Sequence, residues 1–299
     1  QQPTTNNQQP TTNNQQPMLK ASIIAGIISS AIALVEPVFA LQVRVNPDNP
    51  QLGDTISVWL QVDDPSTSPS VIFEGQTLPI FPTNGLNQYR ALIPTTPLDR
   101  PGSLSLQVTG DGETRNLTLG LRDRSFNTQS IRVAGGGSNA TELELSRVAD
   151  FKATVTPEKF WNGAFLRPTR GSVSTVFGVR RYYNGVLAQD YYHRGVDYAA
   201  SRGTPVVAPA AGRVVLVGRE AQGFRLHGNT IGLDHGQGVL SIFLHLQQID
   251  VKEGDFVQAG QKIGTVGATG AATGPHLHWG LYVLGEAVDP VPWRFQGID

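Results

Sequence analysis

Short runs of alternating apolar and polar residues, separated by clusters of Pro, Gly, Asn and Asp, recur along the chain from residue 41 onward. Runs of this kind predict half-buried β-strands, and the clusters between them predict turns. Seven such runs fall within residues 41–133, a spacing that fits a β-sandwich of the immunoglobulin-like type. Further runs follow within residues 160–299. The chain is therefore predicted to be mostly β, with an N-terminal sandwich followed by a second β domain.

The segment at residues 134–159, between the two β regions, has a different pattern. Residues 134–140 (AGGGSNA) predict a flexible break, and Thr141 or Asn139 is a suitable helix N-cap. Apolar residues then follow at roughly helical intervals, namely Leu143, Leu145, Val148, Ala149 and Ala153. We predict a short linking helix that ends before Pro157.

The first 40 residues contain two further patterns. Residues 1–17 repeat QQPTTNN, a polar low-complexity segment that predicts disorder. Residues 18–40 resemble a secretory signal peptide, with one basic residue (Lys20), an uncharged apolar run and a small-x-small site ending at Ala40. The apolar run is shorter than the roughly 18–20 residues that a membrane anchor needs. We therefore expect export to the periplasm or cell envelope, with no stable membrane anchor after cleavage.

Charge and composition restrict the chemistry that the chain can perform. The formal net charge is −1, with acidic and basic residues interspersed, so nothing favours a nucleic-acid partner. Cysteine is absent, which excludes disulfides, thiolate catalysis and zinc sites built on cysteine. A metal ion would have to be held by histidines and carboxylates.

The histidines of GPHLHWG, residues 274–280, are two positions apart. Side chains at i and i+2 of a strand point to the same face, whereas on a helix they would diverge by roughly 200°. His276 and His278 can therefore reach one site if this segment is a strand. The spacing alone does not say whether they are ligands, catalytic groups or ordinary polar residues.

Two other segments carry candidate partners. In HRGVD, His193 and Asp197 are four residues apart and share a face, and a neutral imidazole with a carboxylate suits Zn²⁺, although a simple hydrogen-bonded pair is the alternative. In SIFLHLQ, His245 lies among apolar residues, where an unpaired imidazole would be costly to bury. It could also be a core histidine bonded to a carbonyl. His227 and His235 lie beside glycines and are expected to be structural or exposed.

Taken together, HRGVDYAASRGTPVVAPAAGRV, GNTIGLDHGQGVLSIFLHL, VKEGDFVQAGQKIGTVGATGAATGPHLHWGL and VDP resemble the lysostaphin/LytM-like zinc metallopeptidases that cut peptidoglycan peptides. The resemblance covers about residues 160–299. It implies an antiparallel β groove that holds Zn²⁺, with His193, Asp197 and His278 as the metal ligands. It also implies that His245 and His276 are the catalytic pair.

The resemblance implies a zinc endopeptidase that hydrolyses peptide cross-links of peptidoglycan, with the D-Ala–diaminopimelate bond favoured by analogy. The chain has no HExxH segment, so no adjacent glutamate can take a proton from water. A histidine that is not a ligand can act as the general base or steady the oxyanion. The spacing does not decide which of His245 and His276 performs which role.

Two alternatives compete with this hypothesis. The first is a catalytically silent module of the same fold that binds peptidoglycan or regulates an amidase, and the presence of all five site residues argues against it. The second is a biotinyl- or lipoyl-type carrier, because VVAPAAGRVV and VKEGDFVQAGQKIGTVG resemble a hammerhead repeat. A carrier needs a lysine at a hairpin tip, whereas Lys252 and Lys262 lie within the repeat itself. A carrier function also gives no reason for the set of histidines.

Overall fold

The computed structural model describes residues 41–64, 66, 68–132 and 140–297. The predicted repeat at 1–17, the predicted signal segment at 18–40 and the glycines of the linker lie outside these residues. The described residues all belong to one compact unit, residues 39–299, and their regular secondary structure is mainly antiparallel β-sheet, which confirms the predicted mostly β fold class. Within this part of the chain, neither helix has the length and apolar character needed to cross a membrane.

The N-terminal region forms two four-stranded antiparallel sheets, in the orders β1-β2-β6-β5 and β4-β3-β7-β8. The strands are β1 (Gln42–Asn46), β2 (Thr55–Gln61), β3 (Ser70–Phe73), β4 (Gln76–Leu78), β5 (Phe81–Pro82), β6 (Gln88–Pro94), β7 (Gly102–Gly110) and β8 (Glu113–Leu121). Apolar side chains from both sheets, among them Val58, Ile93, Leu106 and Val108, form one buried core. The first six predicted runs therefore form strands here, and the immunoglobulin-like assignment stays a prediction.

The remaining strands belong mainly to one large sheet, whose main order is β10-β13-β20-β17-β16-β15-β18. They and the helices are β9 (Thr128–Ile131), α1 (Glu142–Lys152), β10 (Ser172–Thr175), β11 (Arg180–Tyr183), β12 (Val186–Leu187), β13 (Val196–Ala199), β14 (Pro205–Val207), β15 (Gly212–Gly218), β16 (Asn229–Gly236), β17 (Val239–Ile249), β18 (Phe256–Val257), β19 (Lys262–Val266), β20 (His276–Val283), β21 (Glu286–Val288) and α2 (Pro290–Trp293). Strands β13, β20 and β17 are mostly buried and pair in that order as antiparallel neighbours, which places Asp197 of β13 beside the histidine-bearing strands β20 and β17.

The last of the seven predicted N-terminal runs behaves differently from the other six. It forms β9, but this strand lies outside both sandwich sheets and pairs in parallel with β11 of the C-terminal region. The backbone N–H groups of Arg180 and Asn184 donate to the carbonyls of Asn127 and Ile131, each at 2.9 Å. Alternation of apolar and polar residues predicts a strand but not the strand it pairs with. The predicted strand is therefore present, but it pairs with β11 and not within the sandwich.

The linking helix α1 forms where the sequence predicts it, with Thr141 as the N-cap. The Thr141 hydroxyl accepts from the N–H of Glu144, and the Glu144 carboxylate accepts from the N–H of Thr141, which completes a capping box. The buried side of the helix carries Glu144 and Phe151, whereas Leu143 and Leu145 are exposed. The face that packs against the protein is therefore set by a carboxylate and an aromatic ring rather than by the leucines.

The N-terminal sheets pack directly on the C-terminal region. Arg90 of β6 is fully buried between the rings of Trp59 and Trp161, and its guanidinium donates to the side-chain oxygen of Gln237. Leu92, on the same strand, belongs to the C-terminal hydrophobic core. The two regions consequently share packing and do not form separate cores linked only by a tether.

Candidate active site

Strand register brings the predicted site residues together at one end of the large sheet. Asp197 of β13 lies directly opposite His278 of β20, and Leu244 of β17 lies on the other side of His278. Residues directly opposite each other in an antiparallel pair point to the same face. The side chains of Asp197 and His278 therefore meet. His276, two residues before His278 on β20, lies on the same face of the strand.

Three side-chain atoms of the kind that bind metals converge at this point. Nε2 of His193 lies 3.0 Å from Oδ1 of Asp197 and 3.1 Å from Nδ1 of His278. Nδ1 of His278 lies 2.9 Å from the same Asp197 oxygen. All three residues are buried, and they form a cluster that could hold a metal ion.

The donor set of this cluster fits a cation. Nδ1 of His193 lies 2.9 Å from the carbonyl oxygen of Val176, which can only accept, so the proton of a neutral His193 is on Nδ1. Its Nε2 lone pair then faces the carboxylate oxygen of Asp197 and Nδ1 of His278. Electron-rich atoms held this close repel one another unless a cation or a proton lies between them. The Val176 carbonyl thus supplies the backbone partner that commonly orients a metal-binding histidine.

The electrostatics of the cluster keep the carboxylate ionised. Burial on its own would raise the pKa of Asp197, but the contacts with His193 and His278 outweigh it and hold that pKa well below its usual range. Burial lowers the pKa of His278, against the opposing influence of Asp197. An ionised Asp197 carboxylate beside a neutral His278 imidazole is compatible with the protonation state that a metal site requires.

His245 reaches the site through an unusual backbone conformation. Its φ is +62°, in the left-handed region, and the ladder of β17 with β16 is irregular at this point. In a regular strand, residue 245 would face away from Leu244 and therefore away from the site, whereas this conformation re-aims it. The ring of His245 consequently lies 4.7 Å from the ring of His276, centroid to centroid.

The rings of His245 and His276 each have one nitrogen committed to a carbonyl. Nδ1 of His245 lies 2.9 Å from the Thr269 oxygen, and Nδ1 of His276 lies 2.8 Å from the Gly274 oxygen. Burial, followed by the neighbouring His276 and His278, lowers the pKa of His245 to about 3. His245 is therefore neutral near pH 7, with a lone pair on Nε2. Nε2 of His276 lies 4.0 Å from Oδ1 of Asp197, outside the metal-type cluster but beside it.

The rings of the other two histidines are not part of this cluster. His235 is buried, with Nδ1 near the Ala211 carbonyl and Nε2 near the Ser241 hydroxyl, and burial lowers its pKa to about 4. His227 lies against the carboxylate of Glu144. Sequence reasoning missed Val176, Thr269 and Glu144 as partners of the site. None of these three contacts was indicated by a local sequence pattern.

Interior strands of an antiparallel sheet thus bring together a His–Asp–His cluster and two further histidines, an arrangement that suits a metal-dependent hydrolase. Residues 191–290 match the sequence model of peptidase family M23. This part of the chain, which contains all five clustered residues, is therefore similar to M23 peptidases, and the predicted resemblance is confirmed.

Known relatives share this domain. A Haemophilus influenzae protein named as an uncharacterized metalloprotease is 34% identical over 173 residues, which are 57% of this chain and 35% of that protein. The DD-carboxypeptidase/endopeptidase Mpg of Neisseria meningitidis serogroup B is 40% identical over 119 residues, which are 40% of this chain and 26% of that protein. The chain thus spans about a third or less of the length of these relatives.

The likeness to one solved structure extends over most of the chain. That structure is of a Pseudomonas aeruginosa protein described as a peptidase M23, 28% identical, with a TM-score of 0.60. The similarity covers 84% of this chain and 97% of that one, and 84% is more than the M23 match alone provides. The likeness therefore extends beyond the peptidase domain into the preceding β-sheets.

Proposed function

We propose that this protein is a zinc-dependent endopeptidase that hydrolyses peptide cross-links of peptidoglycan. One observation carries the proposal, namely the convergence of His193, Asp197 and His278 beside His245 and His276 in an M23 domain. The domain bounds proposed with it are those expected from the sequence, a sandwich region over 41–133 from which β9 departs to pair with β11, a linker over 134–159 and a peptidase domain over 160–299.

We assign His193, Asp197 and His278 as the zinc ligands. Nitrogen and carboxylate oxygen are ligands that Zn²⁺ favours, and three protein ligands with one open position are typical of a catalytic zinc site. Zinc bound there would polarise the scissile carbonyl and lower the pKa of a water molecule. The ionised carboxylate of Asp197 and the Val176 contact of His193 keep the ligand atoms free of protons and correctly aimed.

We assign His245 and His276 as the catalytic pair. Each ring uses Nδ1 to donate to a backbone carbonyl, which leaves Nε2 to exchange a proton or to donate to a developing oxyanion. His276 is the more accessible ring, with 17% of its side chain exposed, whereas His245 is buried and held neutral. The neutral His245 offers an Nε2 lone pair that can accept a hydrogen bond near the metal cluster, and the more accessible His276 suits contact with the substrate.

The substrate and the location follow from the relatives and the N-terminal pattern. The Neisseria relative is named a DD-carboxypeptidase/endopeptidase, which supports a stem-peptide bond, and we favour D-Ala–diaminopimelate. The signal-like residues 18–40 support export to the cell envelope. Peptidoglycan peptides are thus the expected partner.

The test uses the purified full chain. Its zinc content is measured, and the muropeptides that it releases are separated and weighed, from walls with direct D-Ala–diaminopimelate cross-links and from walls with glycine bridges. We expect one zinc per chain and products from the first wall only. A chain without zinc, or a zinc-loaded chain that releases nothing from either wall, refutes the peptidase assignment. Release only when an amidase is added would instead support the regulatory module.

Two substitutions separate the proposed ligand and catalytic roles. Asp197→Ala should lose zinc and activity together, because it removes the charged ligand. His276→Ala should keep zinc and lose turnover by about 100-fold or more, because general acid–base groups contribute at that level. Metal content and initial rates check both variants. Loss of zinc in His276→Ala would show that the two histidines of β20 have been assigned the wrong way round.

A further inference from the structure

We infer that Glu144 of the linking helix is a positioning residue for His245, one that lies outside the M23 match and acts through the chain segment 225–229. The inference rests on the proposed function, because it assigns His245 to catalysis. Glu144 has no exposed surface, although a glutamate in the first turn of a helix is ordinarily solvated.

The carboxylate of Glu144 binds one short segment of chain. The N–H groups of Arg225, Leu226 and His227 donate to its two oxygens at 3.1, 3.1 and 2.7 Å. Nδ1 of His227 adds a contact of 2.7 Å. Burial raises the pKa of Glu144, but these donors outweigh it and lower the pKa, so the group stays charged. Residues 225–227 are therefore folded around a buried negative charge.

The segment that Glu144 binds holds both anchors of His245. The carbonyl of His227 accepts from the backbone N–H of His245 at 3.0 Å. Two residues further on, the N–H of Asn229 donates to the hydroxyl of Thr269 at 2.9 Å, and the carbonyl of Thr269 faces Nδ1 of His245 at 2.9 Å. The backbone and the ring of His245 are thus tied to groups that meet at residues 225–229.

Close packing makes this connection stiff. A Cβ on Gly228 would lie 2.5 Å from the backbone of Thr269, so the two segments touch without a side chain between them. The carbonyl of Leu226 also accepts from the N–H of Ala271 at 3.0 Å. A shift of residues 225–228 would therefore move the Thr269 carbonyl as well.

The conformation of His245 makes it sensitive to such a shift. A left-handed φ is uncommon for a residue other than glycine and persists when surrounding contacts enforce it. If the His227 carbonyl moves, the bond that holds this conformation lengthens and the ring turns away from His276. An error of about 1 Å in a reacting group can cost about 100-fold in rate. Glu144 would thus affect turnover without touching substrate or metal.

The experiment compares Glu144→Gln with Glu142→Gln in the zinc-loaded full chain. Glu142 is an exposed glutamate in the same helical turn, so its variant is a matched control. An amide places an N–H₂ group against the backbone donors, which displaces residues 225–227. We expect kcat on cross-linked muropeptides to fall by about tenfold or more with KM nearly unchanged, while zinc content stays at the wild-type value. Glu142→Gln should match wild type.

Amide hydrogen exchange without substrate provides a second measurement. In Glu144→Gln, exchange at the His227 and His245 amides should become about tenfold faster or more, while the amides of β2 and β7 keep their protection. Glu144→Asp keeps the charge and should recover part of kcat and part of the amide protection. If Glu144→Gln does not fold, Glu144→Asp is compared with wild type instead. Wild-type kcat together with wild-type protection at His245 in the variant would overturn the inference. If wild-type protein cleaves nothing, the proposed function fails, and the exchange result still decides whether Glu144 positions His245.

Discussion

Gly195 lies where one additional methyl group would collide with the candidate metal cluster. A Cβ at this position would be 2.4 Å from the backbone oxygen of Trp279 and 2.8 Å from Nε2 of His278. The first of these contacts is with backbone and cannot be relieved by turning a side chain. The glycine of HRGVD therefore allows β13 to approach β20 closely enough for Asp197 and His278 to meet.

Gly195→Ala should weaken zinc binding by about 10- to 100-fold, because the methyl group pushes His278 away from Asp197 and His193. Competition with a chromophoric chelator measures the dissociation constant. Gly120→Ala is the control, since a Cβ there meets nothing within 4 Å. Equal zinc affinity in Gly195→Ala and wild type would contradict this account.

The residue spacings were informative where the chain is regular and uninformative where it is not. The two-residue spacing of His276 and His278 predicted a common face, and both lie on β20 with their rings on the site side. His245 could not be placed in this way, because its left-handed backbone reverses the alternation of β17. Its approach to His276 depends on contacts with residues distant in sequence, which a local pattern does not record.

For the helix α1, the sequence predicts where the element begins and ends but not which of its faces packs against the protein. Its beginning and end were predicted from two candidate N-caps, Thr141 and Asn139, from the helical intervals and from Pro157, and the structure uses Thr141. Its orientation does not follow from hydrophobicity, because Leu143 and Leu145 are exposed while Glu144 is buried. A buried carboxylate surrounded by backbone donors outweighs the apolar pattern here.

Thr141→Ala should lower the free energy of unfolding by about 1 kcal/mol, the usual cost of removing a helix N-cap. The Thr141 hydroxyl accepts from the N–H of Glu144 at 3.1 Å and donates to the carbonyl of Gly223 at 2.9 Å, so both contacts are lost. Urea unfolding followed by circular dichroism measures the change. Thr141→Ser keeps the hydroxyl and should stay close to wild type. Equal unfolding midpoints for the alanine and serine variants would argue against the cap.

At the scale of the whole molecule, the N-terminal sheets and the C-terminal region are joined by several buried or half-buried polar contacts. Arg124 pairs with Asp289 at 2.7 Å, and the N–H of Asp289 donates to the carbonyl of Gly53 at 2.8 Å. The indole N–H of Trp293 donates to the Thr55 hydroxyl at 3.2 Å. The sequence predicted two β regions, but these pairings connect residues more than 150 positions apart, so no local pattern could indicate them.

Arg90→Ala should destabilise the protein by about 3 kcal/mol and separate the unfolding of the two regions, because it removes a buried cation stacked on two indoles and leaves Gln237 without its donor. Calorimetry should show one transition for wild type and two for the variant. Arg44→Ala is the control, since Arg44 lies over the same Trp59 ring at 5.5 Å but is exposed. A single transition at the wild-type temperature in Arg90→Ala would refute the coupling.

The Val176 carbonyl that orients His193 affects how long a segment must be to carry the complete site. The family match begins at residue 191, so a piece excised at that boundary would contain all five clustered histidine and aspartate positions. It would leave behind both Val176 and Glu144, the groups that face His193 and residues 225–227. The smallest segment that keeps these supporting contacts is therefore longer than the stretch that matches the M23 model. A segment transferred to another protein would have to begin ahead of Thr141.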